Sequence, residues 1–72
     1  MGKGDEFIVK GQVIECLKGA KFKVKVDDKT LVVECVLGGK IRQNNIRILN
    51  GDHVDIAIST ADPYKGRIVW RY

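Results

Sequence analysis

The side chains in this sequence that could do chemistry are its cations, and they are unevenly distributed along the chain. Residues 38–49 and residues 63–72 each hold three basic residues and no acid, so together they carry six positive charges. The rest of the chain holds seven basic and nine acidic residues and is slightly negative. This segregation predicts a surface for a polyanionic partner such as a nucleic acid. The six cations are Lys40, Arg42, Arg47, Lys65, Arg67 and Arg71.

The surroundings of these cations favour RNA, although an ordinary solvated loop stays open as the alternative for residues 40–47. That segment mixes cations with three amide side chains, and RNA binding combines phosphate neutralisation with hydrogen bonds to unpaired bases. Arg67 and Arg71 flank Val69 in a run of strand-forming residues. Strand alternation predicts that both guanidinium groups project from the same face about 6.6 Å apart, close to the phosphate repeat of an extended single strand.

Residues for catalysis or metal binding are few. His53 is the only histidine, and its place on the polar side of an alternating segment predicts a solvated side chain. Cys16 and Cys35 form no Cys-x-x-Cys pair and have no histidines at metal-ligand spacing, so two reduced thiols are expected. The sequence Gly38-Gly39-Lys40 lacks both the earlier glycine and the following Ser or Thr of a phosphate-binding loop. We therefore expect no enzyme activity, no metal and no cofactor.

The elements that must position the cations are short strands, because apolar and polar residues alternate along most of the chain. The strictest alternation is that of Phe22, Val24 and Val26 with three lysines, which is typical of a half-buried strand. A helical turn or ordered loop is predicted over residues 40–48, where the alternation fails after two glycines. The predicted strands are 7–17, 20–26, 30–37, 53–60 and 66–72.

This order of elements predicts an all-β fold, a five-stranded closed Greek-key barrel of the OB-fold type, with an SH3-like barrel as the alternative. Closure protects so small a sheet because it turns the apolar face inward and removes unpaired edges. The whole of residues 7–72 is expected to form one domain, and residues 1–6 a flexible tail. Phe22, Trp70 and Tyr72 share the predicted inward register, which favours a core role for the first two.

The location expected from the sequence is the cytoplasm. No apolar run approaches the roughly 20 residues needed to cross a bilayer, so no membrane partner is expected. The first six residues lack the apolar segment and cleavage site of a secretion signal. We expect a monomer when the protein is free.

Three segments of the chain closely resemble bacterial translation initiation factor one. They are residues 39–49 (GKIRQNNIRIL), 51–54 (GDHV) and 65–71 (KGRIVWR). The resemblance extends to residues 10–13 and 22–24. The chain length and the strand order also match that family, so the resemblance covers almost the whole chain.

The resemblance implies a non-catalytic factor that occupies the decoding A site of the small ribosomal subunit during initiation. Such a factor contacts ribosomal RNA, blocks premature tRNA entry and cooperates with the other two bacterial initiation factors. Asn45 departs from the family, which often has an aromatic residue there, so this position is expected to use hydrogen bonds. The resemblance supports an RNA-binding role more weakly for Arg71 than for the other basic residues. The residues that the resemblance assigns to RNA are Lys40, Arg42, Arg47, Lys65, Arg67, Arg71, Lys3 and Asn45.

Two other functions remain open. One is an RNA chaperone of the cold-shock type that binds single strands without sequence preference. That class usually displays several surface aromatic residues, whereas the aromatic residues here are expected to face mostly inward. The other is a protein-interaction barrel whose charges serve solubility alone, in which case Arg42 and Arg67 would not matter for RNA affinity.

Overall fold

The elements of the fold are five strands and one short helix, seen in a computed structural model that describes residues 6–72. The predicted tail, including Lys3, lies outside the described residues except for Glu6, which starts the first strand. The elements in chain order are β1 (Glu6–Leu17), β2 (Lys21–Val26), β3 (Val32–Leu37), α1 (Gly39–Gln43), β4 (His53–Ser59) and β5 (Asp62–Arg71).

The strands close into a barrel in the order β1-β2-β3-β5-β4, with β1 also paired to β4. All neighbours are antiparallel except β3 and β5, which run parallel. The long strand β1 closes the barrel because its first half pairs with β4 and its second half with β2. Gly11 lies where the two pairings meet, and a Cβ there would come within 2.7 Å of the Lys25 carbonyl oxygen. The predicted all-β closed barrel of the OB-fold type is confirmed.

The core is the inward side of the predicted alternation. Val24, Val33 and Ile56 are fully buried, and burial of each such side chain stabilises the fold by about 1.5–3 kcal/mol. The segment after β3 contributes as well, because Ile41 and Ile48 are buried in the same core cluster. The buried cluster comprises Val13, Phe22, Val24, Val26, Val33, Cys35, Ile41, Ile48, Val54, Ile56, Ile58 and Ile68.

The last strand differs from the prediction in its start and in its register. β5 begins at Asp62, four residues earlier than expected, because Asp62 pairs with Ser59 in a tight connection to β4. Further along, Ile56 pairs with Ile68 but Asp55 pairs with Trp70, so Val69 is a bulged residue. The bulge shifts the alternation by one, and Trp70 points outward with 54% of its surface exposed. The predicted core role of Trp70 is therefore wrong, whereas that of Phe22 is confirmed.

Both cysteines are free thiols on strands, as predicted. Cys16 is exposed on β1, and Cys35 is buried on β3. Burial, with a smaller contribution from the nearby Glu34 carboxylate, raises the pKa of Cys35 to about 12. Cys35 therefore stays protonated at neutral pH and packs as a small apolar side chain.

Candidate RNA-binding surface

The segment that carries the first group of cations is held against the barrel by its apolar residues. Ile41 and Ile48 enter the core and Ile46 packs against it, so the polar residues beside them remain at the surface. Gly38 anchors the start of α1, since its N–H donates to the Ile68 carbonyl oxygen at 2.8 Å. As a result Lys40, Arg42 and Arg47 are all exposed.

Asn45 has a backbone role at the end of α1. Its φ of 55° is left-handed, and asparagine is one of the few residues besides glycine that adopt this conformation readily. The turn is closed by two hydrogen bonds, from the Asn45 N–H to the Arg42 carbonyl oxygen and from the Ile46 N–H to the Ile41 carbonyl oxygen. The asparagine thus fits the local geometry whether or not its side chain contacts RNA.

Lys40, Lys65 and Arg67 come together on one side of the barrel. Lys40 and Arg67 line a cleft of about 300 Å³ between α1 and β5, together with Gly38, Gly39 and Val69. Lys65 and Arg67 also line an adjoining groove of about 280 Å³ on the outer face of the sheet. Arg67 belongs to both depressions, so cations that are 27 residues apart in the sequence form one continuous basic surface.

This basic surface includes an acidic residue. The sequence predicts a surface without acids, because the two segments that carry its cations contain none. The Arg67 guanidinium donates to the Glu6 carboxylate at 2.7 Å, although Glu6 was predicted to belong to a flexible tail. The contact forms because β1 extends to Glu6 and pairs with β4 there. Within residues 6–72, Lys40, Arg42, Arg47 and Lys65 make no ion pair.

Arg71 does not share a face with Arg67, so that prediction is wrong. The bulge at Val69 places Arg71 opposite Val54, in the inward register, whereas Arg67 lies opposite Ala57. Arg71 instead approaches the Asp52 carboxylate at 3.9 Å, next to the turn before β4. Its position separates it from the surface that Lys40, Lys65 and Arg67 form.

Two further ion pairs join neighbouring strands, β1 to β2 and β2 to β3. Lys23 approaches Glu15 and Lys21 approaches Glu34, each at 3.8 Å. The part of the chain described by the structure has no group of three or more residues suited to a metal ion. In the same residues no helix is both long and apolar enough to span a membrane.

The fold and these residues together define an OB-fold protein with a basic outer surface. No family model matches the chain. The chain is 47% identical over 64 residues to translation initiation factor IF-1 of Mycoplasmoides gallisepticum, which covers 89% of this chain and 90% of the relative. On this likeness the chain belongs to the translation initiation factor IF-1 family.

Solved structures agree with this assignment. The solution structure of the same initiation factor from the Wolbachia endosymbiont of Brugia malayi superposes with a TM-score of 0.78 at 38% identity, over 94% of this chain and 79% of that one. The crystal structure of YjeQ from Thermotoga maritima superposes with a TM-score of 0.76 over 92% of this chain and 23% of that one. At 23% identity the second likeness concerns the fold alone.

Proposed function

We propose that this initiation factor binds ribosomal RNA at the decoding A site of the small ribosomal subunit. There it blocks premature tRNA entry and cooperates with the other two bacterial initiation factors, in the cytoplasm and without catalysis. The observation that carries the proposal is the continuous basic surface formed by Lys40, Lys65 and Arg67 in a chain of this family. Arg42 and Arg47, which are exposed on α1 and on the segment after it, are proposed to add to it.

The chemistry of this surface suits folded RNA with displaced bases. Arginine presents a planar fork of donors that matches a phosphate group, and lysine adds a compact point charge. The cleft beside Lys40 and the groove beside Lys65 offer concave places next to these charges. A surface of this kind binds a particular RNA shape more strongly than an extended strand, because several phosphates must meet fixed cations at once.

A chemical footprint on isolated small subunits tests the proposal. We expect protection of a compact set of nucleotides at the decoding site, and competition between the factor and tRNA for that site. The footprint of the double variant Arg42→Ala/Arg67→Ala at the same protein concentration should be much weaker. Protection scattered over the ribosomal RNA, or undisturbed tRNA binding, would contradict the proposal.

One observation from the structure favours the alternative of a cold-shock-type RNA chaperone. Of the five aromatic residues only Phe22 is buried, and the expectation that most of them face inward is wrong. Exposed rings are what a chaperone of single strands needs. The two functions are separated by competition with an unstructured RNA oligonucleotide, which should displace a chaperone from the subunit at micromolar concentrations but leave an A-site factor bound.

Removing the Glu6 carboxylate is expected to strengthen RNA binding. A phosphate that contacts Arg67 must displace Glu6 or share the guanidinium with it, and an exposed ion pair of this kind is worth about 0–1 kcal/mol. We therefore expect Glu6→Gln to raise the affinity for small subunits by up to about fivefold, measured by equilibrium binding at fixed salt.

The matched control for this variant is Glu15→Gln. It changes the net charge equally, but its carboxylate approaches Lys23 and not Arg67. Equal gains in affinity from the two variants would show a long-range charge effect and would refute a local role for Glu6.

A further inference from the structure

Tyr64 is the most exposed of the large hydrophobic side chains in residues 6–72, with 64% of its surface accessible. The other exposed tyrosine, Tyr72, already has partners. The Tyr72 hydroxyl donates to the Asp55 carboxylate at 2.8 Å, and the Lys10 ammonium lies 5.3 Å from the centre of its ring. Among the described residues, the Tyr64 ring has neither a hydrogen bond nor a cation over its face. Its exposure therefore has no structural reason within the barrel.

The backbone presents this ring on a short, restrained segment. Ser59 pairs with Asp62 and Ile58 pairs with Gly66, so residues 63–65 are extra on β5 and project from the pairing with β4. The Tyr64 N–H donates to the Asp62 carboxylate at 3.3 Å, and the preceding proline fixes the chain direction. A ring held in this way loses less conformational entropy on binding than one on a loose loop.

The neighbours of Tyr64 along β5 are the cations of the basic surface. Lys65 follows directly, and Lys65 and Arg67 line the same groove, in which Glu6 is the one acidic residue among residues 6–72. A sugar-phosphate backbone that contacts Lys65 therefore contacts the residue that follows Tyr64 in the chain. Since every nucleobase has a flat face, an unpaired base on that backbone can stack on an exposed aromatic side chain without sequence preference.

We infer that Tyr64 is a stacking platform for one unpaired RNA base whose flanking phosphates contact Lys65 and Arg67. The inference rests on the proposed function, because it assumes that RNA reaches this groove. It adds a non-ionic contact to a surface otherwise defined by charge. Stacking and phosphate contacts differ in their response to salt, since only the latter release counterions.

The test compares Tyr64→Leu, which keeps apolar bulk but removes the ring, with Tyr64→Phe, which keeps the ring and removes the hydroxyl. Affinity for purified small ribosomal subunits is measured at several salt concentrations. We expect Tyr64→Leu to weaken binding by roughly 5- to 150-fold with an unchanged salt slope, and Tyr64→Phe to bind like the parent protein. Parent-like affinity of Tyr64→Leu, or equal loss in both variants, would overturn the inference.

Lys65→Ala and Arg67→Ala, measured in parallel, separate this inference from the proposed function. If both weaken binding while Tyr64→Leu does not, only the stacking role fails. If all three variants bind like the parent protein, RNA does not use this surface and the proposed function fails with it. Thermal unfolding of each variant, which should match the parent protein because all three side chains are exposed, excludes misfolding as the cause.

Discussion

Replacing Gly66 with alanine is expected to destabilise the barrel by about 1–3 kcal/mol, the usual cost of forcing an extra methyl group into a packed site. Gly66 lies on β5 between β3 and β4 and pairs with Cys35 and Ile58. A Cβ at this position would come 2.7 Å from the Ala57 carbonyl oxygen and 3.4 Å from Cγ1 of Val33. The first of these contacts is with backbone, so β5 must move away from β4. The same movement would displace Lys65 and Arg67.

Gly39→Ala is the matched control, because the same substitution at Gly39 places its Cβ where no atom lies within 4 Å. Gly39 starts α1, where alanine reduces the entropy of the unfolded chain, so stability should be unchanged or higher by up to about 1 kcal/mol. Thermal unfolding followed by circular dichroism measures both variants, and for a domain of this size 1 kcal/mol shifts the Tm by roughly 4–8 °C. A Gly66→Ala protein as stable as Gly39→Ala would show that the strands around β5 adapt freely, contrary to the packing described above.

The strands of this fold are predictable from the sequence because apolar and polar residues alternate along each half-buried strand. Phe22, Val24 and Val26 face the core wherever β2 lies in the sheet, so their burial follows from local sequence alone. Trp70 is different. Its direction depends on the bulge at Val69, which arises from how β5 pairs with β4, and nothing in residues 66–72 by themselves marks that irregularity. A shift of one residue was enough to turn an expected core residue into an exposed one.

The candidate site was predictable in its composition but only partly in its geometry. The absence of acids from residues 38–49 and 63–72 identified the cations, and the parallel pairing of β3 with β5 brings Lys40, Lys65 and Arg67 together. The Glu6–Arg67 pair joins residues 61 apart and depends on where β1 begins, which the polar start of the chain does not indicate. The exposure of Tyr64 likewise comes from pairing irregularities, although an aromatic residue directly before Lys65 was a signal that could have been noticed.

Replacing Arg42 and Arg67 together with alanine is expected to weaken binding to small subunits by roughly 10- to 50-fold at 0.1 M salt. Each phosphate contact contributes about −0.7 to −0.9 to the slope of log affinity against log salt, which corresponds to roughly 5- to 8-fold in affinity between 1 M and 0.1 M. The two guanidinium groups lie on different elements and share no ion-pair partner, so their effects should be close to additive.

The structure predicts that the two single variants differ in their salt dependence. Arg42 makes no ion pair in the described chain, so its phosphate contact releases a salt ion, and Arg42→Ala should lower the slope by close to one unit. Arg67 is already partly neutralised by Glu6, so Arg67→Ala should lower the slope by less. In a Glu6→Gln background the Arg67→Ala effect should rise to match that of Arg42→Ala. The two arginine variants could instead have equal slopes of log affinity against log salt, both with Glu6 present and with Glu6 replaced. That result would show that the Glu6–Arg67 ion pair does not persist in solution and plays no part in binding.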